Sequence, residues 1–185
     1  NQLEIEALNA NLNPHFIFNS LNSIQHYLIP FKNKKAVEYV ANLSRLIRLN
    51  MQVLGKKRVT LAGELERINL YVDLERERYE NPLKFEAQLN LKNTPDQIWL
   101  PPMLVQPVVE NSIWHGIMPA KKAGHITLEV EQMDDYLTIA IQDNGVGFIH
   151  KNRERIGHVS RGSQLIRDRL AFYDSTNRFE IQETK

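Results

Sequence analysis

The spacing of apolar residues changes along this chain, and the change divides the chain into two parts. As far as about residue 54, apolar residues recur with the period of a helix, interrupted at Pro30. Beyond that point LKFEAQLNL, HITLEVEQ and YLTIAIQD alternate as strands do, and helical stretches lie between the first two of them and after the last. Helices on one side of a sheet form an α+β sandwich. We therefore predict an α+β protein, with a helical part at residues 1–56 and a sandwich with a mostly antiparallel sheet at residues 57–185.

The helical part is predicted to be a hairpin of two amphipathic helices. In the first helix, apolar residues repeat at spacings of four, three and four, which is the pattern of a buried seam: Ile17, Leu21, Ile24 and Leu28. The second helix, at about residues 34–54, has a similar seam of Val40, Leu43, Ile47 and Leu54. Two such helices alone bury too little apolar surface. We expect a second copy of the chain to complete a four-helix bundle, so that the protein is a homodimer.

In the second part, local signals predict two helices and a β-hairpin. Thr60 is expected to cap a helix that continues to about residue 79 and buries Leu61, Leu65, Ile68 and Val72. Another helix follows the two prolines at positions 101 and 102 and contains VQPVVENSIWHGI. The short polar segment at residues 133–135 lies between HITLEVEQ and YLTIAIQD and is expected to form the turn of the hairpin.

The stretch NLNPHFIFNSLNSI places a proline directly before a histidine in the first helix. Pro14 removes a backbone hydrogen bond and bends the helix just before His15. His15 and Asn19 lie roughly 160–200° around the helix from the buried seam, so both side chains are expected to face outward. A neutral imidazole is nucleophilic near pH 7, and Asn19, one turn further on, can hydrogen-bond that imidazole or a water. The alternative is that Asn19 only hydrogen-bonds the backbone near Pro14.

The motif ENSIWHG places three polar side chains within one and a half turns of a helix. These are Glu110, Asn111 and His115. A carboxylate beside a carboxamide can hold a hard cation and a water through oxygen ligands. The same residues also fit an ordinary polar helix end.

Two further motifs contain glycines where a ligand could approach the backbone. In DNGVGF, Asp143 ends a strand, and Gly145 and Gly147 permit a positive φ and a close approach of the backbone. In SRGSQLIRDRL, Gly162 begins a helix after a basic loop, and helix N-termini are places where phosphates bind. Each motif alone also fits a turn. The order of the three motifs along the chain, ENSIWHG then DNGVGF then SRGSQLIRDRL, is harder to explain by chance.

Taken together, these motifs resemble those of the LytS-type sensor histidine kinases. NPHFIFNSLNSI, LPPMLVQPVVENSIWHGI and DNGVGF carry the resemblance, which extends over about residues 12–173. It implies a dimeric hairpin that bears the phospho-acceptor histidine, followed by a GHKL-type domain that binds ATP and Mg²⁺. It further implies a protein-histidine kinase that passes its phosphoryl group to an aspartate in the receiver domain of a response regulator of the LytTR type.

The resemblance also implies roles for the residues around the reacting phosphoryl group. His15 matches the phospho-acceptor. Glu110 and Asn111 match a motif in which the glutamate acts in catalysis and the asparagine coordinates the Mg²⁺ that bridges the phosphates. His115 matches a residue near the phosphates. From its position one turn after His15, Asn19 is predicted to act in catalysis by orienting the imidazole or by holding a water in line with a phosphoryl group.

The nucleotide base and the lid of its pocket are assigned by the same resemblance. Asp143 matches a buried aspartate that accepts a hydrogen bond from the adenine amino group. Gly145 and Gly147 match glycines that admit the nucleotide. Residues 148–161 match the lid over ATP, and Gly162 matches the glycine at the far hinge of that lid.

Four features depart from the pattern of the family. Trp114 replaces a lysine found in many histidine kinases, and we expect its indole to pack against the protein. Phe16 follows His15, so no carboxylate base is adjacent in sequence. Ser163 follows Gly162 where the family often has another pattern, and the chain ends before the usual last strand. Two alternatives stay open. One is a GHKL nucleotide-binding regulatory module without kinase activity. The other is a dimerisation hairpin with a degenerate catalytic domain, for which the departures around the lid leave room.

Composition and the resemblance together indicate the compartment. A net charge of +1 gives no reason to expect direct binding to nucleic acid. The sequence has no cysteine, which excludes disulfides and thiolate metal sites and fits a reducing compartment. No apolar run approaches the roughly 20 residues of a membrane-spanning helix. We expect the cytoplasmic portion of an inner or plasma membrane protein, attached only through a segment upstream of Asn1.

Overall fold

The structure is a computed structural model, and it describes residues 33–53, 55–134 and 136–147. The first predicted helix with His15 and Asn19 lies outside the described residues, as do the predicted lid and Gly162. In chain order the described elements are α1 (Asn33–Val53), β1 (Val59–Thr60), α2 (Leu61–Arg76), β2 (Leu83–Asn90), a 3-10 turn (Pro95–Gln97), β3 (Trp99–Leu100), α3 (Gln106–Asn111), a π-helical turn (Ser112–Ile117), α4 (Met118–Ala120), β4 (Gly124–Gln132) and β5 (Leu137–Asp143).

Strands β2, β4 and β5 form one sheet in the order β2-β4-β5. β4 and β5 are antiparallel, with Gln132 opposite Leu137, which confirms the predicted hairpin. β2 and β4 are parallel, with Leu83 opposite Gly124. The described sheet is therefore mixed rather than mostly antiparallel as predicted. The reason is that the chain returns from β2 to β4 through α3, the π-helical turn and α4, and a crossover of this kind joins parallel strands.

The core lies between the inner face of this sheet and the helices. Side chains of β4 alternate, so that Ile126, Leu128 and Val130 are buried while the residues between them are partly exposed. The three buried side chains share one apolar cluster with residues of α2 and of the π-helical turn, including Ile68 and Ile113. The predicted helical layer on a sheet is confirmed for the part of the chain that the structure describes.

Helix α2 begins and packs as its sequence predicts. The Thr60 side chain accepts a hydrogen bond from the Gly63 N–H at 3.2 Å and so caps the first turn. Leu61, Ile68 and Val72 are buried. Leu65 is partly buried and packs against the same cluster.

Helix α1 confirms the predicted second helix of the hairpin, but its buried face differs from the predicted seam. Of that seam, Leu43 is buried, Ile47 is partly buried and Val40 is 38% exposed, while Leu54 lies outside the described residues. The difference arises because α1 packs against α2, and three of its buried residues lie one position before the predicted ones. The buried residues follow a four-three-four-three spacing: Tyr39, Leu43, Leu46, Asn50 and Val53. The predicted division of the chain at residues 56 and 57 stays a prediction.

Candidate functional site

The motifs ENSIWHG and DNGVGF, which are about 30 residues apart in sequence, meet in the structure. The Val146 N–H donates a hydrogen bond to the Gly116 carbonyl at 2.9 Å, which joins the turn after β5 to the π-helical turn. A β-carbon built on Gly116 would lie 2.7 Å from Asp143 Oδ1. A β-carbon built on Gly145 would lie 2.2 Å from the Gly116 carbonyl carbon. The two segments approach this closely because both positions are glycine.

The turn after β5 places Asp143 at the end of a strand, as predicted. Its Oδ1 accepts a hydrogen bond from the Gly145 N–H at 2.9 Å, which fixes the orientation of the carboxylate. The side chain is exposed, whereas we predicted a buried carboxylate. Asp143 is the last residue of β5, which lies at one edge of the sheet formed by β2, β4 and β5. Gly147 has a φ of 67°, a left-handed backbone conformation that favours glycine. Gly145 serves a different purpose, because it allows the close approach to Gly116.

Asn144 fastens this turn to the beginning of β4, and sequence reasoning did not identify it. Its Oδ1 accepts from the His125 N–H at 2.8 Å, and its Nδ2 donates to the Ala123 carbonyl at 3.0 Å. Its own N–H donates to the His125 carbonyl at 3.2 Å. The available signal was the Asn-Gly pair, which is typical of turns.

The ENSIWHG segment is not one continuous α-helix. α3 ends at Asn111, and the next six residues form a π-helical turn that contains Trp114, His115 and Gly116. Short π-helical segments inside helices frequently occur at functional sites. Glu110 and Asn111 are partly buried and His115 is exposed, so the structure places all three predicted residues within reach of the surface.

The glutamate of this segment is held by the residue one turn before it. Gln106 Nε2 donates a hydrogen bond to Glu110 Oε1 at 3.0 Å. The beginning of α3 is fixed in turn by the fully buried Glu64, whose Oε1 accepts from the N–H groups of Val105 at 3.0 Å and Gln106 at 3.3 Å. Arg67 pairs with the Glu64 carboxylate, which balances its charge. These contacts set the direction of the Glu110 carboxylate.

Trp114 packs back onto α2, as expected from its apolar ring. Its Nε1–H donates to Tyr71 Oη at 2.9 Å. The guanidinium carbon of Arg78 lies 5.1 Å from the centroid of the Trp114 ring, which is a cation–π distance. Arg78 also pairs with the buried Glu75.

Two side chains near Trp114 have pKa values that burial raises above the usual range. Burial raises the pKa of Glu75 from 4.5 to about 7, although the positive charge of Arg78 opposes the shift. Burial also raises the pKa of Tyr71 well above its usual value, and the negative charges of Glu75 and Glu110 add to that effect. Carboxylates are therefore close enough together here to influence one another.

The residues of this site that could help to hold a metal ion are Glu110 and Asn111. Among residues 33–53, 55–134 and 136–147, no group of three or more His, Cys, Asp or Glu side chains could hold a metal ion. Mg²⁺ commonly binds through one or two protein oxygens together with phosphate oxygens and waters. The partly buried Asn111 beside Glu110 fits that mode, and does not fit an ion held by protein ligands alone.

Comparison with known proteins identifies the family. Residues 3–83 match the family model described as Histidine kinase. The chain is 35% identical over 157 residues to sensor protein LytS of Staphylococcus epidermidis, a match that covers 85% of this chain and 26% of the relative. It is 33% identical over 156 residues to sensor histidine kinase YpdA of Escherichia coli, covering 84% of this chain and 27% of the relative. The chain belongs to the LytS- and YpdA-type sensor histidine kinases. The family that the motifs indicated is thereby confirmed.

The sensor histidine kinases to which this chain is similar are much longer than it. The chain spans about a quarter of the length of the curated relatives that it matches, at 26% and 27%. Among solved structures, the histidine kinase domain of a blue-light-activated kinase from Erythrobacter litoralis matches with a TM-score of 0.46 and 18% identity, covering 82% of each chain. Within the described residues, no helix is both long and apolar enough to cross a bilayer.

Proposed function

We propose that this chain is the kinase region of a sensor histidine kinase that binds ATP with Mg²⁺, phosphorylates His15 and passes the phosphoryl group to an aspartate of a response regulator. The observation that carries the proposal is the contact of Gly116 with Asp143 and Gly145. This contact joins the motif suited to phosphates and metal to the motif suited to the base. Membership of the histidine kinase family supports the same reaction.

At the phosphate end, the protein's task is positioning and charge neutralisation. The Asn111 side-chain oxygen would hold Mg²⁺ together with the phosphate oxygens. The Glu110 carboxylate, held by the Gln106 amide at 3.0 Å, would accept a hydrogen bond from the imidazole of His15 or from a water. The exposed His115 would lie near the phosphates. His15 would supply the nucleophilic nitrogen.

At the base end, Asp143 would accept a hydrogen bond from the adenine amino group. The Gly145 N–H fixes the carboxylate, so its orientation is set before the nucleotide binds. Guanine carries a carbonyl acceptor at the corresponding position, and two acceptors repel. This argument supports ATP over GTP. Residues 148–161 would cover the nucleotide, with Gly162 as the hinge.

Dimerisation would use the face of α1 that α2 does not cover. Val37 is 69% exposed, Val40 38% and Met51 56%. With the partly buried Ile47, their spacing is three, seven and four, which is the repeat of a helical seam. We infer that this stripe contributes to a homodimeric four-helix bundle. The proposed partner in signalling is the receiver domain of a LytTR-type response regulator, with the chain on the cytoplasmic side of a membrane.

Calorimetric titration with ATP, with and without Mg²⁺, tests the proposed nucleotide site. The wild type and His15→Ala should bind ATP equally, because acceptor and pocket lie in separate parts of the chain. Asn111→Ala should lose the part of the affinity that depends on Mg²⁺. Equal binding by Asn111→Ala and the wild type at every Mg²⁺ concentration would contradict the role of Asn111, and a wild type that binds no ATP would contradict the proposed function.

A further inference from the structure

Four side chains form a closed ring between α2 and the π-helical turn, and none of them belongs to the proposed nucleotide-binding residues. The Trp114 indole N–H donates to Tyr71 Oη at 2.9 Å. Glu75 lies near Tyr71, close enough for its negative charge to raise the pKa of the tyrosine. Arg78 Nη1 donates to both oxygens of that carboxylate, at 2.9 and 3.1 Å. The Arg78 guanidinium lies over the Trp114 indole, 5.1 Å from its centroid, and so completes the ring of four side chains.

Chemistry fixes the direction of two of these contacts. An indole N–H can only donate, so Tyr71 Oη accepts from Trp114. A guanidinium can only donate, so the Glu75 carboxyl oxygens accept from Arg78. Tyr71 is 1% exposed, and the side chains of Glu75 and Arg78 are 0% and 14% exposed. Because these groups are withdrawn from water, moving the indole would leave buried polar groups without their partners.

The ring holds the segment on which the proposed nucleotide site is built. Trp114 is the third residue of the six-residue π-helical turn, between Asn111 before the turn and Gly116 within it. Gly116 makes the contact with the Asp143 turn, and its carbonyl accepts the Val146 N–H. A rotation of the turn that displaced the indole would also displace Gly116. The position of both halves of the site therefore depends on where Trp114 is held.

The ring also lies close to the proposed catalytic carboxylate. The negative charge of Glu110 contributes to the raised pKa values of both Tyr71 and Glu75. Arg78 supplies a positive charge that pairs with the Glu75 carboxyl group. A second acidic side chain, Glu75, therefore lies near Glu110 and is paired with Arg78.

We propose that Trp114, Tyr71, Glu75 and Arg78 are positioning residues, which fix the π-helical turn so that Asn111 and Gly116 are placed for nucleotide binding. None of the four touches the nucleotide in this proposal. The inference rests on the proposed function, since it assumes that ATP binds at this site.

Tyr71→Phe tests the proposal, because it keeps the aromatic ring and removes the hydroxyl that accepts the hydrogen bond from Trp114. The Kd for ATP with Mg²⁺ and the KM and kcat of autophosphorylation are measured, together with the thermal midpoint. The expected result is a Kd and a KM raised five-fold or more. Val72→Ala is the matched control. Val72 is the next residue of α2, 1% exposed, and it lies in the core rather than in the ring. It should lower the thermal midpoint and leave the Kd unchanged.

A second variant covers the case in which Tyr71→Phe does not fold. Arg78→Lys keeps the positive charge but loses the planar guanidinium that lies over the Trp114 ring. It should also raise the Kd for ATP, by a smaller factor than Tyr71→Phe does. Wild-type Kd and KM in the folded variants, or an equal rise in Val72→Ala, would overturn the positioning role. A wild-type protein that binds no ATP would instead overturn the proposed function, so the two failures are distinguishable.

Discussion

Glu75→Gln is expected to change the pH dependence of folding stability. The Glu75 side chain is 0% exposed, and burial raises its pKa from 4.5 to about 7 while Arg78 opposes the shift. Between these two pH values the folded protein holds a proton at Glu75 that the unfolded chain has released. The free energy of unfolding therefore falls as pH rises through this interval.

The magnitude follows from the difference between the two pKa values. Each pKa unit corresponds to about 1.4 kcal/mol, so the stability that Glu75 contributes at pH 4 and loses by pH 8 is about 3 kcal/mol. Glutamine does not titrate, and its side-chain oxygen can still accept from Arg78. Relative to the wild type, Glu75→Gln should therefore become more stable by about that amount as pH rises from 4 to 8.

Urea denaturation at pH 4, 5, 6, 7 and 8, followed by circular dichroism, measures the effect. Groups other than Glu75 titrate in both proteins, so their contributions largely cancel in the difference. Glu80→Gln is the control, because it removes the same charge from an exposed position just after α2. A difference between Glu75→Gln and the wild type that stays constant with pH, or that changes in the opposite direction, would refute the reasoning.

Three further substitutions test individual parts of the site. Gly116→Ala should weaken ATP binding ten-fold or more in calorimetry, because its β-carbon would lie 2.7 Å from Asp143 Oδ1; the control Gly63→Ala should bind as the wild type does. Asp143→Ala should cost about 1 kcal/mol of ATP affinity and reduce the preference over GTP, a smaller loss than for a buried carboxylate; unchanged calorimetric affinity would count against the adenine contact. Asn19→Ala should slow autophosphorylation or dephosphorylation of the regulator about ten-fold, which corresponds to about 1.4 kcal/mol; wild-type rates in both assays would leave Asn19 with a structural role only.

Features that depend on nearby sequence were predictable. The Thr60 cap and the apolar face of α2 follow from residues of a single helix, within about three turns of each other. The β4–β5 hairpin follows from two alternating segments joined by a short turn. The meeting of ENSIWHG and DNGVGF at one site was implied by the resemblance to a family and is supported by the contact at Gly116.

Features that depend on distant partners were not predictable. The parallel pairing of β2 with β4 joins Leu83 to Gly124 across the intervening helices. The buried face of α1 depends on where α2 lies, and periodicity alone left this face about one residue out of place. The ring around Glu75 joins Trp114 to a tyrosine 43 residues earlier. The one signal of that contact in the sequence was Trp114, which departs from the pattern that the resemblance to the family implies.

The most direct test of the central claim is phosphorylation of the chain with ATP labelled at the γ-phosphate, in the presence of Mg²⁺. The account predicts incorporation of a phosphate that is labile in acid and stable in base, and its loss in His15→Ala and in Asn111→Ala. Only His15→Ala should retain full ATP binding. A wild type that binds ATP without incorporating label would contradict the kinase assignment and support a nucleotide-binding regulatory module. Label that persists in His15→Ala would contradict the assignment of the acceptor.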